Sequence, residues 1–249
     1  MTMSVRETPL PREMPQSTSE SFIVGGFSYV RAPVPVHFPE HDLVPETKRH
    51  LEQRTLLYQI LKLAFADHAL IGCDQFVYWD PTDPRQCLAP DAFVRLGAPD
   101  EMFGSWKVWE RGAPEVAVEI ISHNDSRDRH WESRLSKYRR LGVRELVRFE
   151  AEEDGVISLR IWDSVDNDLV ERNGVGRIAS SRCLPGSWVV TEDSTGVPML
   201  RLSRDPEGRE FYPTPEERAE RAEQAEQRIR ERAEQRIREL EAELSKRGG

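Results

Sequence analysis

Apolar and polar positions alternate in distinct ways along this chain, and each pattern predicts an element. Residues 22–30 alternate apolar with small side chains, which predicts a strand, and prolines at 33, 35, 39 and 45 predict an extended connection after it. Leu51, Leu56, Ile60, Leu63 and Phe65 recur at helical spacing, so residues 46–68 read as a helix. Residues 71–79 and 90–96 read as strands on either side of Asp80-Pro-Thr-Asp-Pro84, where two X-Pro pairs forbid regular structure. Residues 115–121 are β-branched or apolar with one acid, Glu119, in their midst, the pattern of a buried central strand. After a polar break, Trp131, Leu135, Tyr138 and Gly142 put one apolar stripe on a helix that stops at the glycine. Residues 143–149 resume as a strand. Strand, helix, strand at this spacing is a βαβ unit in a mixed sheet, with a right-handed crossover covering one sheet face. Residues 155–202 alternate like hairpins, with turns at Asn173-Gly174 and Pro185-Gly186.

From Thr214 the chain changes to Glu, Arg, Ala and Gln, with AEQRIRER at 225–232 recurring as AEQRIREL at 233–240. Ala219, Ala222, Ala225, Ile229, Ala233, Ile237, Leu240 and Leu244 form a stripe with a mean step of about 3.6 residues. Two readings stand: a solvated single helix held by Glu and Arg pairs, or a self-associating coiled coil that makes the chain a homodimer or higher oligomer. The expected layout is a disordered tail over 1–20, one α/β domain over 21–212 and a helical tail over 213–249.

Composition narrows the function. The 249 residues are 38% hydrophobic and 32% charged, too polar for every segment to be core. No stretch of 18 uncharged apolar residues exists, and the opening residues, with three acids and three prolines before any apolar run, do not read as a signal peptide. A cytoplasmic protein is expected. Cys73, Cys87 and Cys183 lie far apart, which argues against a disulfide framework or a thiolate zinc site. A net charge of -9 opposes coating of nucleic acid by bulk electrostatics, yet residues 127–144 hold seven Arg or Lys against Asp128 and Glu132. An anionic ligand is to be sought there.

Asp91, just inside a strand, and Glu119, within another, are expensive to bury without partners. Two carboxylates on adjacent strands could hold one hard divalent cation, with water completing the shell. His123 and His130 lack zinc spacing and read as structural.

Three strings, APDAFVRLG at 89–97, VAVEIIS at 116–122 and DRHWESRLSKYRRLGVREL at 128–146, together resemble the Uma family of restriction endonucleases in the PD-(D/E)XK nuclease superfamily. The resemblance runs over about residues 44–149. It implies a restriction-endonuclease-like central mixed sheet flanked by helices, a Mg2+ or Mn2+ ion, and hydrolysis of DNA phosphodiesters; the motifs do not separate DNA from RNA. The superfamily's two acids fall on Asp91 and Glu119. Its lysine two residues beyond the second acid is Ile121 here. Where the Uma pattern carries a lysine on the following helix, this chain has Arg134, in Arg134-Leu-Ser-Lys-Tyr138. At 100° per residue, Arg134 lies about 60° from Trp131 and Lys137 about 120° away. Arg134 is therefore expected to reach Glu119 and Lys137 to point outward. Similar proteins also carry an acid and a histidine where Glu46 and His50 stand, facing the metal cleft; the plainer reading of these two is helix N-terminal polarity. Loss of the lysine keeps a second function open, a nuclease fold without turnover that serves as a nucleic-acid or protein-binding scaffold.

Overall fold

The computed structural model describes residues 20–24, 26–31, 47–121, 131–151 and 157–247, in two units, 1–44 and 45–249. In the first, β1 (Glu20–Val24) and β2 (Phe27–Arg31) pair antiparallel. The single strand expected over 22–30 is thus a hairpin. The alternation was real, but Gly26 turns the chain at φ 83°, a conformation that a Cβ disfavours.

The second unit begins with α1 (Lys48–Phe65), capped by Thr47, whose hydroxyl accepts the His50 N–H at 3.2 Å. Next come β3 (Ala69–Gly72), β4 (Val77–Tyr78), β5 (Cys87–Leu88), β6 (Ala92–Leu96), β7 (Trp106–Lys107), the single turn α2 (Val108–Arg111) and β8 (Val116–Ile121). The strand expected over 71–79 is broken at Asp74, which adopts φ 63°. Then follow α3 (Trp131–Leu141), β9 (Glu145–Ala151), β10 (Ile157–Val165), β11 (Asp168–Glu171), β12 (Ile178–Ser180), β13 (Ser187–Glu192), β14 (Pro198–Ser203) and α4 (Pro215–Arg247).

Six strands form the central sheet in the order β11-β10-β9-β8-β6-β3. Only β8 and β9 run parallel in it, joined across α3 as the βαβ pattern predicts. Period-2 alternation sorts β8 into two cores. Val116, Val118 and Ile120 pack with Leu57, Leu61 and Phe65 of α1 and with Trp188, Val190 and Leu200 of the β12-β13-β14 sheet. Ala117 faces the other way, with Trp131, Tyr138 and Leu141 of α3 and with Val77, Leu88 and Trp106 of the small β5-β4-β7 sheet. The architecture is α/β with a mixed sheet flanked by helices.

One buried acid joins two of these layers. Glu145, fully buried in β9, accepts Trp188 Nε1–H at 2.6 Å, Ser181 Oγ–H at 2.8 Å and the Arg182 amide, and Arg172 stands 3.7 Å away. Such an acid is tolerable only with a full set of donors, so it pins β12 and β13 to the central sheet. No helix among the described residues is long and apolar enough to cross a membrane.

Candidate functional site

Asp91 immediately precedes β6. One step beyond the Ala92↔Val118 register places it opposite Glu119 on the neighbouring strand. Both are buried, Asp91 at 2% exposure and Glu119 at 0%. Just before Asp91, the Pro90 carbonyl accepts the N–H of Asp74, which lies between β3 and β4, at 2.9 Å, and Asp74 is gripped by Arg54 of α1 at 2.6 Å.

Each carboxylate has its own set of donors. Oδ2 of Asp91 accepts the backbone N–H of Ile120 at 2.7 Å and lies 3.2 Å from Nε2 of His50. That same Nε2 is 2.9 Å from the Ile120 carbonyl. Both neighbours are acceptors, so Nε2 carries the proton and His50 ties Asp91 to the β8 backbone. Oε1 of Glu119 accepts from Nη2 of Arg134 and from the Tyr138 hydroxyl, two residues one helical turn apart on α3. Arg134 also lies against the Tyr138 ring, its guanidinium carbon 6.0 Å from the centroid. Burial pushes the Tyr138 phenol well above its ordinary pKa, and the charges of Glu119 and Asp91 push the same way against the opposing pull of Arg134. Tyr138 is therefore a permanent proton donor to Glu119, and both acids act on it electrostatically.

Arg134 reaches Glu119 as the helix arithmetic requires. Lys137 turns instead toward the small sheet, half-buried and close enough to Cys87 for its charge to work against the burial that raises that thiol's pKa. His50 belongs to the Asp91 cluster. Glu46, His123 and His130 lie outside the described residues. Two participants escape sequence reasoning. Tyr138 reads as one more member of the α3 stripe, although a buried phenol always needs an acceptor. Arg148 of β9 occupies the register position beside Glu119, buried at 3% exposure, stacked 4.6 Å from the Trp131 ring centroid and bonded to Glu150 at 2.9 Å. An arginine inside an apolar strand was the available signal.

Chemically the site offers hard oxygen donors beside fixed cations, a set that suits a hard divalent cation and a phosphate. Among the described residues no group of three or more His, Cys, Asp or Glu is placed to hold a metal. An ion bound at Asp91 and Glu119 would thus take two protein carboxylates and fill its other positions with water or substrate oxygens.

Residues 41–192, from before α1 to the end of β13, match the Uma2 family, described as "Putative restriction endonuclease". Among curated proteins nothing matches. A solved structure from Anabaena variabilis, described as "a putative nuclease belonging to DUF820", is 12% identical over 70% of this chain and 86% of its own, with a TM-score of 0.37. The family match takes in Asp91, Glu119 and Arg134 together and extends over more than half of the sequence, so this chain belongs to the Uma2 family of restriction-endonuclease-like proteins.

Proposed function

We propose that this protein is a divalent-metal-dependent nuclease acting on DNA phosphodiester bonds, with Asp91 and Glu119 as ligands of Mg2+ or Mn2+. The observation that carries the reading is the pair of buried carboxylates, one just before β6 and one in the neighbouring β8, each with its own hydrogen-bond donors. When bound, the ion would supply Lewis-acid polarisation of a phosphoryl oxygen and a water of lowered pKa. The chain's own residues do the rest. His50 and the Ile120 N–H fix Asp91, while Tyr138 and Arg134 fix Glu119. Arg134 keeps its proton at any working pH, so its role is to neutralise charge and to grip a phosphate oxygen. The basic run on and around α3, with Arg139, Arg140 and Arg144, is the surface that would follow a nucleic-acid backbone. A second copy of the chain, joined through α4, is part of this proposal.

Supercoiled plasmid and single-stranded substrates incubated with purified protein and Mn2+ test it. Weak cleavage is expected from the unaltered protein, none from Asp91→Asn, Glu119→Gln or Arg134→Ala, a gain from Arg134→Lys, and little change from Lys137→Ala. Cleavage that survives loss of both acids would sink the assignment. A second reading, a scaffold without turnover, is favoured by Ile121, which is buried at 3% exposure and puts a methyl-bearing side chain where the superfamily has its lysine. Calorimetric titration separates the two, because a scaffold has no need of Mn2+ at Asp91 and Glu119.

A further inference from the structure

α4 leaves the domain at Thr214, whose hydroxyl accepts the Glu217 N–H at 3.1 Å, while Arg201 grips both carboxylate oxygens of Glu217 at 2.8 Å. This anchor is firm: Arg201 is 8% exposed, its guanidinium stacked 4.6 Å from the Phe211 ring centroid. From Arg218 onward the described side chains are exposed. Among them are Ile229 at 68%, Ile237 at 55% and Leu240 at 41%. At 100° per residue the apolar stripe from Ala219 to Leu240 stays within an arc of about 120°, so these three large side chains share one face. A face of that kind on a solvated helix calls for a partner.

The charges beside the arc say what that partner is. One edge carries Glu223, Glu226, Glu234 and Glu241 with Arg230 as the exception; the other carries Arg218, Arg221, Arg228, Arg232 and Arg236, with Glu239 and Glu243 as exceptions. A two-fold axis parallel to two copies of this helix brings the acidic flank of each against the basic flank of the other. A two-fold axis perpendicular to them brings acid against acid and base against base. Flanking charges are what set orientation in paired helices. Building on the reading of α4 as a self-association surface, we propose that it pairs with α4 of a second copy of this chain in a parallel, in-register coiled coil. The two domains then sit at the same end of the pair.

Light scattering on the full chain at low ionic strength should give twice the 28.7 kDa of one copy, and the Ile229→Asp/Ile237→Asp chain should give a single copy. The Glu223→Lys/Glu226→Lys/Glu234→Lys chain makes both flanks basic and should dissociate at a concentration about tenfold or more higher, whereas an antiparallel pair would merely exchange one like-charge contact for another. Ile229→Cys and Ile237→Cys, oxidised separately and mapped by peptide mass, should each link to the same position of the partner. A monomeric parent, or a dimer indifferent to the double Asp change, overturns the surface. Cross-linking at only one of the two positions, or an unchanged dimer in the triple Lys chain, overturns the orientation. None of these outcomes depends on nuclease activity.

Discussion

Removal of the Arg134 guanidinium should cost most of what a buried ion pair can cost, because Glu119 is fully buried and Arg134 and Tyr138 meet it on one oxygen. In Arg134→Ala the phenol alone would remain of those two, and a phenol cannot balance a charge. At an effective dielectric constant near 20, a pair of charges about 4 Å apart interacts by about 4 kcal/mol. Breaking a buried pair from one side typically costs about 3–5 kcal/mol. For a domain of this size that is a fall in Tm of roughly 6–20 °C. The pH dependence has a definite sign. Loss of the cation beside a buried carboxylate disfavours its ionised form, so the variant is worst off at high pH. As pH falls and the carboxyl protonates in place, the deficit against the parent shrinks. Urea unfolding at pH 8 and pH 5 reads both quantities, and Arg134→Ala/Glu119→Gln, which removes the buried carboxylate charge, should recover much of the loss at pH 8. A pH 8 deficit under about 0.5 kcal/mol, or one that grows on acidification, would refute this account of the ion pair.

Other parts of the structure make independent predictions. Gly186→Ala should unfold the β12-β13 turn at a cost of several kcal/mol, since Gly186 sits at φ 127° and a Cβ there would lie 1.9 Å from the Ser203 carbonyl oxygen; thermal melts near those of the parent would contradict it. Burial pushes the Cys183 thiol up to about 11, with Glu145 adding to the effect. Its iodoacetamide labelling at pH 8 should therefore be slow, accelerating only as pH climbs toward that value, and labelling at the rate of a small-molecule thiol would be wrong for this packing. Arg201→Ala should fray the start of α4, seen as faster hydrogen exchange at the Glu217 and Arg218 amides with the central sheet unaffected.

Periodicity made the βαβ heart of the fold legible. Val116, Val118 and Ile120 alternate as a buried strand must, and Trp131, Leu135 and Tyr138 repeat as a helix face must, so both elements and their parallel partner β9 could be placed from local pattern alone. The contact of Arg134 with Glu119 followed from the same rotation per residue. What local pattern could not deliver was tertiary and polar. His50 touches Asp91 and Ile120 across 41 and 70 residues, and nothing near His50 in sequence distinguishes that role from a capped helix start. Tyr138 hid its function by satisfying the apolar stripe with its ring while its hydroxyl served Glu119. The break at Asp74 and the turn at Gly26 depend on single left-handed residues inside otherwise strand-like runs, which alternation does not register.

The buried Glu145 also imposes an order in time. Its partners Ser181, Arg182 and Trp188 lie 36, 37 and 43 residues further along the chain. At a synthesis rate of about 5–20 residues per second, β9 waits roughly 2–9 s before its acid can be enclosed. Until then Glu145 lacks most of the donors that make its burial tolerable, so its end of β9 is the last part of the strand to leave water. The contact between the β12-β13-β14 sheet and β9 is consequently completed late, after β13 has emerged, and a ribosome-bound chain that stops short of β13 should lack the Glu145 contacts.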